Sequence, residues 1–132
     1  MVIDTFLFND EFDMLDIHLA ITDHYVDRWI VLEASRTFSG IPKPYNLTNN
    51  LARYQEKYPD RIQVVTLELN EDQTNLICET MMRQGLQPAI DQYSADDIVI
   101  HGDLDLKCTC IVLIKRPIVI GKAVWRLESV CL

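Results

Sequence analysis

Short apolar segments alternate with segments of helical spacing over the first hundred residues, and this alternation constrains the fold more than any other feature. Residues 2–8, 28–33, 61–69 and 97–100 are rich in branched and aromatic side chains, which predicts four strands. Strands that alternate with helices usually form a mainly parallel sheet with helices on its faces. The sequence therefore predicts an α/β fold.

The segments between these strands predict helices and one loop. Apolar residues at helical spacing follow the first strand, and three carboxylates are expected in the first turn of that helix, where the helix dipole favours them: Asp10, Glu11 and Asp13. Helices are also predicted over residues 48–58 and 71–86, with a further turn over 88–93. Serine, glycine and proline punctuate residues 34–47, which predicts a loop.

The charge of the chain changes sign after Asp105. Residues 1–105 contain 7 Lys and Arg against 19 Asp and Glu, whereas residues 106–132 contain 5 against 1. Three of the four cysteines also lie in this last stretch, in which strands are predicted over 111–114 and 117–120. We therefore expect a domain over residues 1–105 and an atypical tail over 106–132, which is either poorly ordered or added to the sheet as an edge strand.

Charge and hydropathy restrict the kinds of binding partner and the cellular location that we expect for this chain. The formal net charge of -8 argues against a nucleic-acid partner, which needs a basic surface, and fits a protein that meets phosphates through a divalent cation. No apolar run approaches the ~20 residues of a membrane span, and the first residues lack the features of a signal peptide. The expected location is cytoplasmic, with the four cysteines as reduced thiols.

Ligands of parallel sheets bind outside the carboxyl ends of the strands, and three polar segments fall there: residues 9–11, 33–43 and 103–105. Asp103 and Asp105 follow the fourth strand directly, and alternate residues of an extended segment point the same way. Two convergent carboxylates are typical ligands of Mg²⁺ or Mn²⁺, which bridge protein carboxylates and substrate phosphates. The alternative is a solvated turn after a strand.

Other polar residues near these strand ends have two interpretations each. Glu33 is either a surface carboxylate or an acceptor for a base or ribose, at the end of the second strand. Lys43, between two prolines, and Arg36 either face a phosphate or are exposed to solvent. His101 precedes the D-x-D motif, and we expect it to support that site without binding the cation.

Residues 8–19 read FNDEFDMLDIHL, residues 29–44 read WIVLEASRTFSGIPKP and residues 96–105 read DDIVIHGDLD. These three segments resemble motifs of the family 17 glycosyltransferases, which are the β-1,4-mannosyl-glycoprotein N-acetylglucosaminyltransferases and their bacterial and viral relatives. The first segment is similar to the opening motif of the family, and the second is a more specific match than the first. The third resembles the strand that leads into the family's D-x-D motif.

The resemblance implies an α/β fold of GT-A type, which is a Rossmann-like, mainly parallel sheet with flanking helices. It implies a UDP-sugar donor, in family terms UDP-N-acetylglucosamine, a glycan acceptor, and a cation, Mn²⁺ or Mg²⁺, held by Asp103 and Asp105. The predicted donor-binding residues are Glu33, Arg36, Lys43 and Asp103. Since family members continue well beyond the D-x-D motif, the fold is expected to be truncated after that strand, and no catalytic base is assigned.

Two other functions remain open. A chain that keeps only the donor-binding half could be a non-catalytic remnant or a nucleotide-binding module. A D-x-D motif also begins haloacid-dehalogenase-type phosphatases, where the first aspartate is the nucleophile. In those hydrolases the motif follows the first strand, whereas here it follows the fourth, and this position favours the glycosyltransferase.

Overall fold

The computed structural model describes residues 1–71, 75–102, 104, 110–114 and 128–131, and it describes side chains for residues 1–71, 80–102 and 104. The strands are β1 (Val2–Phe8), β2 (Arg28–Ala34), β3 (Ile62–Leu67), β4 (Ile98–His101), β5 (Cys110–Ile114) and β6 (Glu128–Cys131). The helices are α1 (Phe12–Thr22), α2 (Asn46–Asn49), α3 (Leu51–Lys57), α4 (Asn75–Gly85) and α5 (Gln87–Ile90).

The strands form a single sheet in the order β3-β2-β1-β4-β5-β6. β1 pairs in parallel with β2 and β4, and β2 pairs in parallel with β3. The predicted α/β fold with a mainly parallel sheet is therefore confirmed, with β1 and β2 as the inner strands of its parallel part. Consecutive parallel strands need crossover connections, and helices lie in these connections here. α1 lies between β1 and β2, α3 lies between β2 and β3, and α4 follows β3.

The tail adds two strands to this sheet. β5 pairs antiparallel with β4, and β6 pairs antiparallel with β5. The strand predicted over residues 111–114 is confirmed by β5, whereas the strand predicted over 117–120 lies outside the described residues. β6 was not expected from the sequence.

Alternate residues of β1 enter two separate hydrophobic clusters, because successive side chains of a strand point to opposite faces. Ile3 and Leu7 join a cluster with α4 and α5, and Phe6 and Phe8 join a second cluster with α1 and α3. Both faces of β1 and β2 are therefore covered. This explains why these strands read as continuous apolar runs instead of alternating patterns.

Two helix predictions need correction. α1 begins at Phe12, so Asp13 lies in the first turn but Asp10 and Glu11 precede the helix. Asp10 has a φ of 65°, a left-handed backbone conformation that cannot continue into a right-handed helix. The helix predicted over residues 48–58 is divided into α2 and α3, because Asn50, with φ -111° and ψ 10°, interrupts it.

Among the helices of the described ranges, none combines the length and the apolar character that a membrane span requires.

Candidate functional site

Polar residues meet where the parallel strands end. Because β1 lies between β2 and β4 and all three run the same way, their carboxyl ends share one edge of the sheet. Phe8 is in register with Glu33, so the residues that follow β1 lie beside the end of β2. We call this region the carboxyl edge. It contains the predicted residues Glu33, Arg36 and Lys43.

Glu33 is fully buried, and its carboxylate binds the chain that follows the loop. The backbone N–H groups of Leu47 and Thr48 donate to it at 2.8 and 3.1 Å, and the Thr48 hydroxyl donates at 3.1 Å. These bonds satisfy two of the N–H groups that the start of α2 leaves without helical partners. Glu33 therefore fixes the end of the loop over residues 34–45 against the sheet.

Lys43 points inward, and its side chain is only 6% exposed. Its Nζ lies 3.6 Å from Oε1 of Glu33, 3.6 Å from Oδ1 of Asp10 and 3.5 Å from the carbonyl oxygen of Pro44. A buried ammonium needs compensating charge, which the two carboxylates supply. Sequence reasoning placed Lys43 opposite a phosphate or in solvent, and among the described residues its ion-pair partners are these two carboxylates.

Asp10 is the outermost member of this group, with 39% of its side chain exposed. The side-chain amide of Asn46 donates to Oδ1 of Asp10 at 2.9 Å, on the same oxygen that faces Lys43. Aspartate tolerates the left-handed backbone found here better than most residues do. The turn between β1 and α1 is thereby joined to the loop that follows β2.

Arg36 braces the loop from within. Residues 36 and 42 form an antiparallel bridge, and the Arg36 guanidinium donates to the carbonyl oxygens of Gly40 at 2.8 Å and Leu69 at 3.2 Å. Gly40 has a φ of 82°, which glycine adopts without steric cost, so the chain can turn at the loop tip. Arg36 also lies 3.5 Å from Glu71. The loop over residues 36–42 is therefore a braced hairpin that is tied to the chain after β3.

At the end of β4, His101 is held between a hydroxyl and a guanidinium. The Thr5 hydroxyl donates its one proton to the carbonyl oxygen of Ile100 at 3.0 Å, so it accepts from Nδ1 of His101 at 2.9 Å. Nε2 of His101 then accepts a hydrogen bond from Arg83 at 2.7 Å. These partners assign His101 as a neutral imidazole with its proton on Nδ1.

The two predicted cation ligands, Asp103 and Asp105, lie outside the described residues. Leu104 between them is described, and it is buried at 5% exposure in the cluster that contains Phe6 and Phe8. The chain after β4 is therefore anchored to the core beside the end of β1. In the described part of the chain, no group of three or more His, Cys, Asp or Glu is placed to hold a metal ion.

Sequence reasoning placed residues 9–11 at the strand ends without assigning Asp10 a contact, and it missed Asn46 and Arg83. A signal existed for Asp10, because Asn9-Asp10 directly after a strand is typical of a turn with a left-handed residue. No local signal exists for Asn46, whose contact with Asp10 joins two loops 36 positions apart. Arg83 likewise meets His101 only because α4 packs on the sheet beside β4.

An open depression of about 630 Å³ lies elsewhere, between α3 and the beginning of β3. Arg28, Asp60 and Gln63 are among the residues that line it. It lies at the amino ends of the strands, away from the carboxyl edge where sheets of this kind bind their ligands. We therefore do not assign the functional site to it.

A known protein family matches this chain in sequence. The family model described as glycosyltransferase family 17 matches residues 1–115. The match spans the carboxyl edge and extends through β5, beyond the boundary expected at Asp105. No curated protein and no solved structure matched the chain. Since the family model covers most of its length, the chain belongs to glycosyltransferase family 17.

Proposed function

We propose that this glycosyltransferase binds a UDP-sugar, with N-acetylglucosamine as the sugar, at the carboxyl edge of a GT-A-type sheet and transfers the sugar to a glycan hydroxyl. Family membership makes sugar transfer from a donor to an acceptor the general activity. The observation that carries the finer proposal is the built polar edge, where Glu33, Lys43 and Asp10 meet at the ends of β1 and β2.

The donor site in this proposal is largely preformed. Glu33 holds the beginning of α2, Arg36 braces the hairpin over residues 36–42, and Asn46 joins that loop to the turn after β1. Loops fixed in this way lose little conformational entropy when a ligand binds, and this raises affinity without further contacts. A nucleotide sugar laid along the carboxyl edge would cross the ends of β2, β1 and β4 in turn.

The proposal assigns the cation, Mn²⁺ or Mg²⁺, to Asp103 and Asp105. Two carboxylates form an oxygen-only donor set, which is the kind that these hard cations prefer. The burial of Leu104, which packs in the same cluster as Phe6 and Phe8 of β1, supports the assignment. When bound, the cation would supply positive charge against the charge that grows on the departing diphosphate.

The reaction joins two sugars in one substitution. A hydroxyl of the glycan acceptor attacks the anomeric carbon of the donor sugar, the new glycosidic bond forms, and the bond to the diphosphate oxygen breaks with release of UDP. The hydroxyl proton leaves to a base. The residues of the carboxyl edge serve the first requirement of this reaction, which is to orient the donor so that its anomeric carbon faces the acceptor.

Metal-dependent UDP binding tests the proposal. The melting temperature of the unchanged chain should rise with UDP and Mn²⁺ together, because a ligand that binds only the folded state stabilises it by mass action. Asp103→Asn with Asp105→Asn should abolish the rise. Asp60→Asn with Asp96→Asn removes the same charge from two exposed positions and should preserve it.

Two results would count against the proposal. A rise that persists in the Asp103→Asn, Asp105→Asn variant would show that these two residues do not hold the cation. Absence of any rise in the unchanged chain would favour the non-catalytic remnant. Turnover of UDP-N-acetylglucosamine then separates an active transferase from a nucleotide-binding module.

A further inference from the structure

Three charged side chains of alternating sign form a line from the core to the surface at the carboxyl edge. Glu33 is 0% exposed, Lys43 is 6% exposed and Asp10 is 39% exposed. The Lys43 ammonium lies 3.6 Å from a carboxylate oxygen of each neighbour. Only the outermost carboxylate is readily reached from solvent, so a ligand at this position would meet Asp10 first.

The two oxygens of Asp10 have different surroundings. Both described polar contacts, the Asn46 amide at 2.9 Å and the Lys43 ammonium at 3.6 Å, are made to Oδ1. Within the part of the chain that the structure describes, Oδ2 has no polar partner. A carboxylate held by one oxygen presents the other as an oriented acceptor, and an ionised acceptor makes a stronger hydrogen bond than a neutral one.

Charge decides which ligand group this acceptor suits. One ammonium between two carboxylates leaves an excess of one negative charge, so a phosphate would be repelled at Asp10. A hydroxyl group is neutral and can donate a hydrogen bond to the carboxylate. A nucleotide sugar carries hydroxyl groups on its ribose and on the transferred sugar, and either source has the required chemistry.

We infer that Asp10 is a donor-binding residue whose free carboxylate oxygen accepts a hydrogen bond from a hydroxyl group of the nucleotide sugar. Lys43 and Asn46 are positioning residues, because they hold the other oxygen of the same carboxylate. The inference rests on the proposed function, since the hydroxyl belongs to the donor proposed above. Lys43 then holds the Asp10 carboxylate in place, instead of making the expected contact with a phosphate.

A purely structural role for Asp10 makes a different prediction. If Asp10 only fastens the turn after β1 to Asn46, its removal lowers the stability of the free protein and leaves the affinity of the folded protein for ligand unchanged. If Asp10 binds a hydroxyl, affinity falls even where the free protein keeps its melting temperature. Affinity measured well below the melting temperature separates these two roles.

The chain offers a matched control at Asp60, an exposed aspartate with a left-handed φ of 57° at the opposite end of the sheet. Asp10→Gly and Asp60→Gly remove the same group and relieve the same kind of backbone strain. Asp10→Asn retains the shape of the side chain and removes its charge, so it remains informative if Asp10→Gly folds poorly. Titration calorimetry in Mn²⁺ with UDP and with UDP-N-acetylglucosamine gives the affinities.

We expect Asp10→Gly to weaken binding about tenfold or more, because a hydrogen bond to a charged group is lost, and we expect Asp60→Gly to bind as the unchanged chain does. Weakening with both ligands places the bond at the ribose, and weakening with UDP-N-acetylglucosamine alone places it at the transferred sugar. If Asp10→Gly binds both ligands as tightly as the unchanged chain does, the role of Asp10 is wrong and the proposed function still stands. An unchanged chain that binds neither ligand overturns the proposed function and this inference with it.

Discussion

Oε1 of Glu33 lies 3.6 Å from Nζ of Lys43, and both side chains are almost completely removed from solvent. Glu33 also accepts hydrogen bonds from the backbone N–H groups of Leu47 and Thr48. The pair therefore joins the end of β2, the loop that follows it and the beginning of α2. Removing Lys43 would leave the Glu33 carboxylate buried without this counter-charge, and removing Glu33 would leave Lys43 with Asp10 alone. Either change costs more than losing an exposed ion pair.

Glu33→Ala should destabilise the protein by about 2–4 kcal/mol, because a buried ion pair is broken and buried donors lose their acceptor. Urea unfolding monitored by circular dichroism measures the change. Glu56→Ala, at an exposed glutamate of α3, is the control and should change stability by less than about 0.5 kcal/mol. Equal stability of the Glu33→Ala and Glu56→Ala variants would show that Glu33 does not fix the loop.

Tyr54 should make the free energy of unfolding decrease at high pH. Burial and the hydrogen bond that its hydroxyl donates to Asp16 raise the pKa of Tyr54 from 10.0 to about 12. Above pH ~10 the unfolded chain ionises this phenol while the folded chain keeps it neutral, so stability should fall as the pH rises from about 10 to about 12. The contribution is fully present below that range.

Denaturant unfolding at several pH values between about 9 and 12 measures this dependence. Tyr54→Phe should make the free energy of unfolding less dependent on pH in that window. Tyr25→Phe, at a tyrosine that is 76% exposed, is the matched control. The same pH dependence in the Tyr54→Phe variant and in the unchanged chain would refute this prediction.

Gly85→Ala should destabilise the protein, although alanine is the better helix former by up to about 1 kcal/mol. A Cβ at position 85, the last residue of α4, would lie 2.8 Å from Cδ1 of the buried Leu32. Overpacking of this kind costs about 1–3 kcal/mol. Thermal unfolding gives the sign, and Leu32→Val in the same chain should recover part of the loss. If the Gly85→Ala variant melts at a higher temperature than the unchanged chain, there is room for a Cβ beside Leu32 and the prediction is wrong.

His101 should be neutral with its proton on Nδ1, because Thr5 accepts from Nδ1 and Arg83 donates to Nε2. The nitrogen chemical shifts of the imidazole distinguish the two tautomers directly. Thr5→Val removes the acceptor without a large change of shape and should reduce the preference for this tautomer. Thr5→Ser keeps the hydroxyl and should preserve the preference. A proton found on Nε2 in the unchanged chain would overturn the assignment.

The parallel strands could be predicted because burial on both faces leaves a strong local pattern. β1 was predicted over residues 2–8 and is found as Val2–Phe8, with both faces in hydrophobic clusters. The break between α2 and α3 could not be predicted in the same way. It depends on the conformation of one residue, Asn50, in an otherwise helical sequence. β6 was missed because, among the described strands, it pairs with β5 alone, within a tail of different composition.

The location of the site could be predicted more readily than its contacts. Parallel topology alone brings the residues after β1, β2 and β4 to one edge, so Glu33 and Lys43 were selected from their positions. The pairing of Lys43 with Glu33 and Asp10 depends on the path of a loop across the ends of β1 and β2. Periodicity carries no information about such a path, because it reports only which face of an element is buried.

The most direct test of the account is where a nucleotide sugar binds on the sheet. A ¹⁵N-labelled chain titrated with UDP-N-acetylglucosamine in Mg²⁺ reports this position through its backbone amide shifts. The largest shift changes should fall on residues 9–11, 33–46 and 101–104, at the carboxyl edge. Changes concentrated instead around Arg28, Asp60 and Gln63, at the open depression beside the beginning of β3, would contradict it.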